Sequence, residues 1–329
     1  MPLHLKAAAK TDVGQQRDQN EDNCFAQVSE NEDSASGIFI VADGMGGYHA
    51  GEVASQIAVE SISKQLKATL EPASAQPTVR LNKSKRGKGR GVRFLSRSGP
   101  KDDPNKTRPL AAEKPADTEA APPTAESGDA AESSDAAVTA VTQQLTESLI
   151  VDHYAEQLRA AVEQGSEAIV EYGRQHSEAR GLGSTLTAAL VIGEQAFIAN
   201  VGDSRTYLLR GGKLDRITQD HSLVERLVQA GQIEPADVYD HPNRNLIYRS
   251  LGASKAEVEV DIFTEKLSAG DALLLCSDGL WEMVHDPQIE RILNEVEDPQ
   301  AACDLLIERA NENGGEDNIT AVLVRCVEV

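Results

Sequence analysis

The sequence predicts an α+β fold built on largely antiparallel sheets. Strand-like segments come in runs instead of alternating singly with helices. Neighbouring strands are separated by turns short enough for hairpins, the clearest at Gly211-Gly212. Helical periodicity is confined to stretches lying between those runs.

In chain order, residues 3–12 and 22–28 read as strands joined by a polar turn. The apolar run 38–42 reads as a strand buried on both faces. From Gly51 the spacing becomes helical, with Val53, Ile57, Ile62 and Leu66 on one face and Glu52 in the first turn, where it suits the helix dipole. Residues 72–137 are rich in Pro, Ala, Ser and Gly and cannot bury enough apolar surface to order themselves. They read as a low-complexity, disordered insertion inside a single domain spanning 1–329, because helical patterns stand on both sides. Helical spacing resumes near Thr139, with Leu145, Leu149, Tyr154, Leu158, Val162, Ile169 and Tyr172 forming a face.

The second half is strand-rich: 184–192, 195–201, 206–209, 213–217, 258–263, 272–276 and 319–327. A short helix around Leu223, Val224, Leu227 and Val228 ends at Gly231, and His221 is expected to cap or orient that helix, not to catalyse. Residues 232–250 form a long irregular loop, and a loop of that length is often functional. A final helix opens at Pro299 after the cap Asp298.

The formal charge of −21 argues against nucleic-acid binding and against an anionic membrane surface. Charge is uneven: residues 79–108 hold eleven basic and two acidic side chains. No apolar run approaches the roughly 20 residues that cross a bilayer, and the start lacks a signal-peptide core. The four cysteines show no metal-type spacing and read as buried thiols in a reducing compartment. A cytoplasmic enzyme or regulator, acting as a monomer, is the expectation.

Acids recur where apolar strands end. Asp43 follows 38–42, Asp203 follows 198–201, Asp278 follows 272–276, and Asp317 and Asp22 precede strands. Glycines flank most of them and let a backbone come close to a ligand. Two carboxylates about 4 Å apart repel by about 1 kcal/mol in water and by about 4 kcal/mol at an effective dielectric near 20. Several converging acids therefore call for cations between them, and an all-oxygen set favours Mg²⁺ or Mn²⁺ over zinc. The chemistry this suggests is a two-metal hydrolytic centre that acidifies a bridging water and clamps a phosphate.

In order, Arg17-Asp18-Gln19-Asn20-Glu21-Asp22, Val41-Ala42-Asp43-Gly44-Met45-Gly46-Gly47, Gly183-Ser184-Thr185, Val201-Gly202-Asp203-Ser204-Arg205, Ser277-Asp278-Gly279-Leu280-Trp281 and Glu316-Asp317-Asn318-Ile319-Thr320 resemble the motifs of the PP2C (PPM) family of metal-dependent serine/threonine protein phosphatases, in its bacterial branch. The resemblance runs from Leu3 to Val327, apart from the insertion. It implies a four-layer αββα sandwich, two central antiparallel sheets flanked by helices. It implies hydrolysis of phosphoserine and phosphothreonine in proteins phosphorylated by a serine/threonine kinase, by direct attack of a water activated by two Mn²⁺ or Mg²⁺ ions. A third ion is implied for bacterial members.

The resemblance also implies roles. Asp43 would bridge two metals, the Gly44 carbonyl would bind one, and Asp278 and Asp317 would complete the other. Glu21 and Asp22 would act mainly through water or as outer acceptors. Asp203 would hold a third metal with Asp278. Arg17 would grip the phosphate, where its planar fork suits bidentate contact. Asn318 would orient a neighbouring ligand, and 232–250 would be the flap beside the site.

The chain departs from the family pattern in three places. Met45 stands where animal-type members carry a histidine proposed as general acid. Tyr48 stands where many bacterial members have histidine, with His49 next, and the basic insertion is not part of the usual domain. A catalytically silent regulator of the same fold is the alternative reading; loss of metal ligands would be its sign, and none is lost.

Overall fold

The computed structural model of the protein describes residues 3–29, 35–46, 50–70, 132–176, 181–252 and 257–328, and of 132–147 only the course of the helix. Two compact units divide the chain, Met1–Ala75 with Gln143–Val329, and Gln76–Thr142. The architecture below is that of the first. Most of the second unit, and with it most of the insertion expected at 72–137, lies outside the described residues.

Two five-strand ladders make the centre. The first has the order β1 (Leu3–Asp12), β11 (Ile319–Glu328), β10 (Ala272–Cys276), β7 (Arg205–Arg210), β8 (Lys213–Arg216). The second has the order β2 (Asp22–Val28), β3 (Ser36–Met45), β5 (Leu186–Ile192), β6 (Gln195–Val201), β9 (Asp261–Lys266), with β4 (Gly183–Ser184) beside β3. Every pairing is antiparallel, as the short turns predict.

Strand β3 shows why the sheets stack. Ile38, Ile40 and Ala42 face a core shared with helices α1 (Ala50–Leu70) and α2 (Glu132–Gln175), while Phe39 and Val41 face the core between the sheets. All five are fully buried, so an alternating strand becomes apolar throughout once both faces are covered. On the other side, Ile319, Ala321 and Leu323 of β11 pack with α5 (Asp286–Glu295) and α6 (Pro299–Glu312), and Val322 and Val324 face the inter-sheet core. The layers are therefore helix, sheet, sheet, helix.

Several elements differ from the sequence expectation. Helix α2 begins at Glu132, earlier than the expected Thr139 and inside the expected insertion. After Gly128 no Gly or Pro interrupts the chain until Gly165, and Glu132 and Asp135 suit a helix start. Strand β9 lies at Asp261–Lys266, not 258–263, because its partner β6 ends at Val201, where Gly202 turns away with φ of +106°. Short helix α4 (Asp278–Trp281) and helix α5 were not expected; Asp286-Pro287 followed by Ile289, Ile292 and Leu293 carried the signal for α5. Helix α3 (Leu223–Gln229) is capped by Ser222, whose hydroxyl accepts from Glu225 N–H, so the capping expected of His221 is done by its neighbour. Asp298 does cap α6, accepting from Ala301 N–H at 2.8 Å.

Among the described residues no helix is long and apolar enough to cross a membrane. The four cysteines are free thiols.

Candidate metal centre

The register of the sheets brings the acids to one end. Asp22 lies directly opposite Asp43 in the β2–β3 pair. Cys276 pairs with Ala321 on one side and Arg205 on the other, so the end of β10 and the beginnings of β7 and β11 coincide. Asp278 follows the first, Asp203 precedes the second and Asp317 precedes the third. Acids separated by up to 295 positions, Asp22 and Asp317, thus share one rim.

Two glycines let the pieces close. A Cβ on Gly44 would stand 2.0 Å from the Gly51 carbonyl oxygen, and one on Gly279 would stand 2.2 Å from that of Asn318. The close approach made possible by the Asp-Gly pairs is to other backbone: the first turn of α1 in one case and the Asp317 loop in the other. The Gly44 carbonyl itself faces Gly51, and Gly44 N–H donates to the Glu21 carbonyl at 3.1 Å.

Each acid is held differently. Asp22 Oδ2 accepts from Ser277 Oγ and Thr320 Oγ1, both at 2.7 Å, while Oδ1 has no hydrogen-bond partner. Asp43 is fixed through its backbone: its N–H donates to Thr185 Oγ1 at 3.1 Å, and its carbonyl accepts from Ser184 Oγ at 3.0 Å and Thr185 N–H at 2.8 Å. Asp278 Oδ1 is also unpartnered. Asp317 is engaged on both oxygens, by Asn318 N–H at 2.8 Å and by Arg17 Nη2 at 2.5 Å. Asn318 pins the loop bearing Glu21: its Oδ1 accepts from Glu21 N–H at 2.8 Å, and its Nδ2 donates to the carbonyls of Val13 and Gln19.

The electrostatics record the crowding. Burial raises the Asp22 carboxyl to about 7 from 3.8, against the lowering effect of the Ser277 and Thr320 hydroxyls. Asp203 is likewise raised to about 7, by burial and then by the negative charge of Asp220. Asp43 is pushed well above 3.8 by burial and then by Asp278, Asp22, Asp203 and Asp317. Asp278 is pushed up by burial, then by Asp203 and Glu282. Their side chains keep some solvent contact, but protein surrounds enough of each carboxyl to strip its hydration.

Among the described residues no three His, Cys, Asp or Glu side chains close on a common point as a finished metal cage. The fit to a cation rests on chemistry: mutually repelling, desolvated carboxyls, two oxygens without a donor, and no sulfur or nitrogen ligand among the acids. Such a set fits a hard divalent ion. His49 and Tyr48 lie outside the described residues.

The loop 232–250 reaches this rim. Arg244 donates to Glu282 Oε2 at 3.0 Å and to Glu316 Oε2 at 2.9 Å, tying residues 232–250 to α4 and to the Asp317 loop. His221 stands behind Asp203: its Nδ1 accepts from Gly202 N–H and its Nε2 lies 3.0 Å from Asp261 Oδ2. Arg205 pairs with Asp220 at 2.7 Å, both buried. Sequence reasoning gave no role to Ser277, Thr320, Ser184, Thr185 or Glu282, although four of them sit inside the quoted motifs; a hydroxyl beside an acid was the available signal.

Comparison with known proteins places the sequence in a family. The family model described as Protein phosphatase 2C matches residues 14–98 and 121–323. The serine/threonine phosphatase stp of Listeria monocytogenes is 33% identical over 320 residues, 97% of this chain and 95% of that protein. A crystal structure of the Mycobacterium tuberculosis serine/threonine phosphatase PstP/Ppp aligns with TM-score 0.66 and 29% identity, over 98% of this chain and 99% of that one. A crystal structure of the catalytic domain of PstP in complex with two manganese ions aligns with TM-score 0.64 and 29% identity, over 99% and 100%. The chain belongs to the protein phosphatase 2C family.

Proposed function

We infer that the protein is a metal-dependent protein serine/threonine phosphatase, hydrolysing phosphoserine and phosphothreonine side chains with Mn²⁺ or Mg²⁺ as cofactor. The observation that carries the reading is the gathering of Asp22, Asp43, Asp203, Asp278 and Asp317, supplied by both sheets, at one rim beside Arg17. When bound, the divalent ions supply Lewis acidity toward a phosphoryl oxygen and toward the attacking water.

The chain's own residues do the rest. Asp43, at the centre of the electrostatic cluster, would hold the ions together with the Gly44 carbonyl, Asp278 and Asp317. Asp22, with Oδ2 held by two hydroxyls and Oδ1 without a hydrogen-bond partner, would serve as an outer acceptor, together with Glu21. Asp203, whose charge acts on Asp278, would hold a third cation with it. Arg17 is half-exposed and leaves Asp317 to grip the phosphate with its fork. Met45 brings no acid to the leaving group, whose proton would have to come from a water at the site or from another group.

The substrates are phosphorylated proteins, products of a serine/threonine kinase. The catalytic domain is read as single and monomeric, interrupted by the low-complexity segment expected at 72–137, and working in the cytoplasm. Purified protein should dephosphorylate a phosphothreonine peptide with Mn²⁺ and lose that activity in EDTA. Asp43→Ala should lower kcat/KM by at least about 100-fold. Activity that survives either treatment overturns the assignment.

A further inference from the structure

Trp281 is the only tryptophan of the chain, and it is buried at 1% exposure. Shape alone would account for a buried indole; its N–H would then take any acceptor at hand. Here the acceptor is the backbone carbonyl of Asp203, at 3.0 Å. Trp281 also ends the short helix that begins with Asp278, three residues earlier. One side chain therefore ties the backbone of Asp203 to the helix that opens with Asp278, and Asp203 is the foremost charged neighbour acting on Asp278.

The indole is clamped in turn. The Arg205 guanidinium carbon lies 3.4 Å from the ring centroid, a cation–π stack in a dry site. Asp220 holds that guanidinium by Nε and by Nη2, the latter at 2.7 Å, and Arg205 Nη1 donates to Tyr207 Oη at 3.1 Å. Tyr207 Oη donates to Asp286 Oδ1 at 3.0 Å, which anchors the chain to α5. Every member from Asp220 to Trp281 is buried, so the ring has one seat.

We propose that Trp281 is a positioning residue, which through its N–H to the Asp203 carbonyl and its stack on Arg205 sets the Asp203 and Asp278 carboxyls at the separation that lets them share one divalent ion. This rests on the assignment of those two acids as cation ligands. Desolvated like charges move apart unless the backbone that carries them is fixed. The indole fixes Asp203 to the turn that carries Asp278.

The test is Mn²⁺ binding to the full chain, by equilibrium dialysis and calorimetry, for wild type, Trp281→Phe and Asp203→Asn. Phe keeps an aromatic face for Arg205 and lacks the donor. One Mn²⁺ step should weaken at least tenfold in Trp281→Phe, with the other steps within about twofold of wild type, and Asp203→Asn should lose that same step. If Trp281→Phe melts lower but keeps every Mn²⁺ step while Asp203→Asn loses one, Trp281 is core packing only and the proposal fails. If Asp203→Asn also keeps every step, the ligand assignment fails with it. Should the Phe variant not fold, wild-type fluorescence decides: Mn²⁺ should quench Trp281 at the midpoint of one binding step, and Asp203→Asn should lack that phase. Quenching that Asp203→Asn keeps in full overturns the proposal.

Discussion

Ser277 Oγ donates to Asp22 Oδ2 across 2.7 Å, joining the end of β10 in one sheet to the start of β2 in the other. Thr320 Oγ1 meets the same oxygen, and Ser277 Oγ in turn accepts from Thr320 N–H at 3.0 Å. The two sheets are therefore locked together at the acid that faces Asp43.

Removing that lock should be felt by metal and stability alike. Ser277→Ala should weaken Mn²⁺ binding about 10- to 100-fold, the range for a residue that orients a ligand. It should also cost about 1–3 kcal/mol of stability, because a buried carboxyl oxygen loses a donor. Calorimetry and denaturant melts of Ser277→Ala, Thr320→Val and the double variant check this. The double variant should fall short of the sum of the two, since both hydroxyls serve one oxygen.

Arg17 should separate metal binding from phosphate binding. It holds Asp317 Oδ2, the carboxylate oxygen not already bound to Asn318 N–H. Arg17→Ala should bind Mn²⁺ at least as tightly as wild type, while kcat/KM on a phosphopeptide drops about 10- to 100-fold. Arg17→Lys should recover the charge but only part of the rate, for want of the fork. A parallel loss of both properties would place Arg17 in the scaffold instead.

The raised acids fix a pH dependence. Asp22 and Asp203 are raised from 3.8 to about 7, so the folded state holds protons that the unfolded chain has released. Stability from these groups is complete below the unfolded value and is lost as pH rises through about 7. In EDTA, the melting temperature should fall between pH 5 and pH 8, and Asp203→Asn should flatten the slope. Saturating Mg²⁺ should reverse the fall at pH 8, because it binds the charged form.

Glycine substitution should discriminate two kinds of site. At Gly44 a Cβ would meet the Gly51 carbonyl oxygen at 2.0 Å, backbone against backbone, so Gly44→Ala should cost at least about 3 kcal/mol or prevent folding. At Gly193, with φ of +60° and nothing within 4 Å, Gly193→Ala should cost only about 1–2 kcal/mol. Thermal melts of the two proteins compare them directly.

Some of this was legible from local pattern. The apolar run Ile38 to Ala42 announced a strand covered on both faces, and Gly211-Gly212 announced the β7–β8 hairpin. Acids placed at strand ends announced a shared rim, because strands of one sheet end together. The sequence motifs also carried the family. These features are local, set by hydrophobic periodicity and by turn chemistry, and survive translation into one dimension.

What tertiary structure decided is who meets whom. Ser277 and Thr320 find Asp22 from 255 and 298 positions away, Arg17 finds Asp317 from 300, and the Trp281 N–H finds the Asp203 carbonyl from 78. No periodicity encodes such pairs; they follow from the register of two sheets and the packing between them. Sequence by itself determined which residue types stand at the ends of the strands. The stacking of the sheets decided which of those ends come together, and desolvation there turned ordinary aspartates into acids that hold their protons near neutral pH.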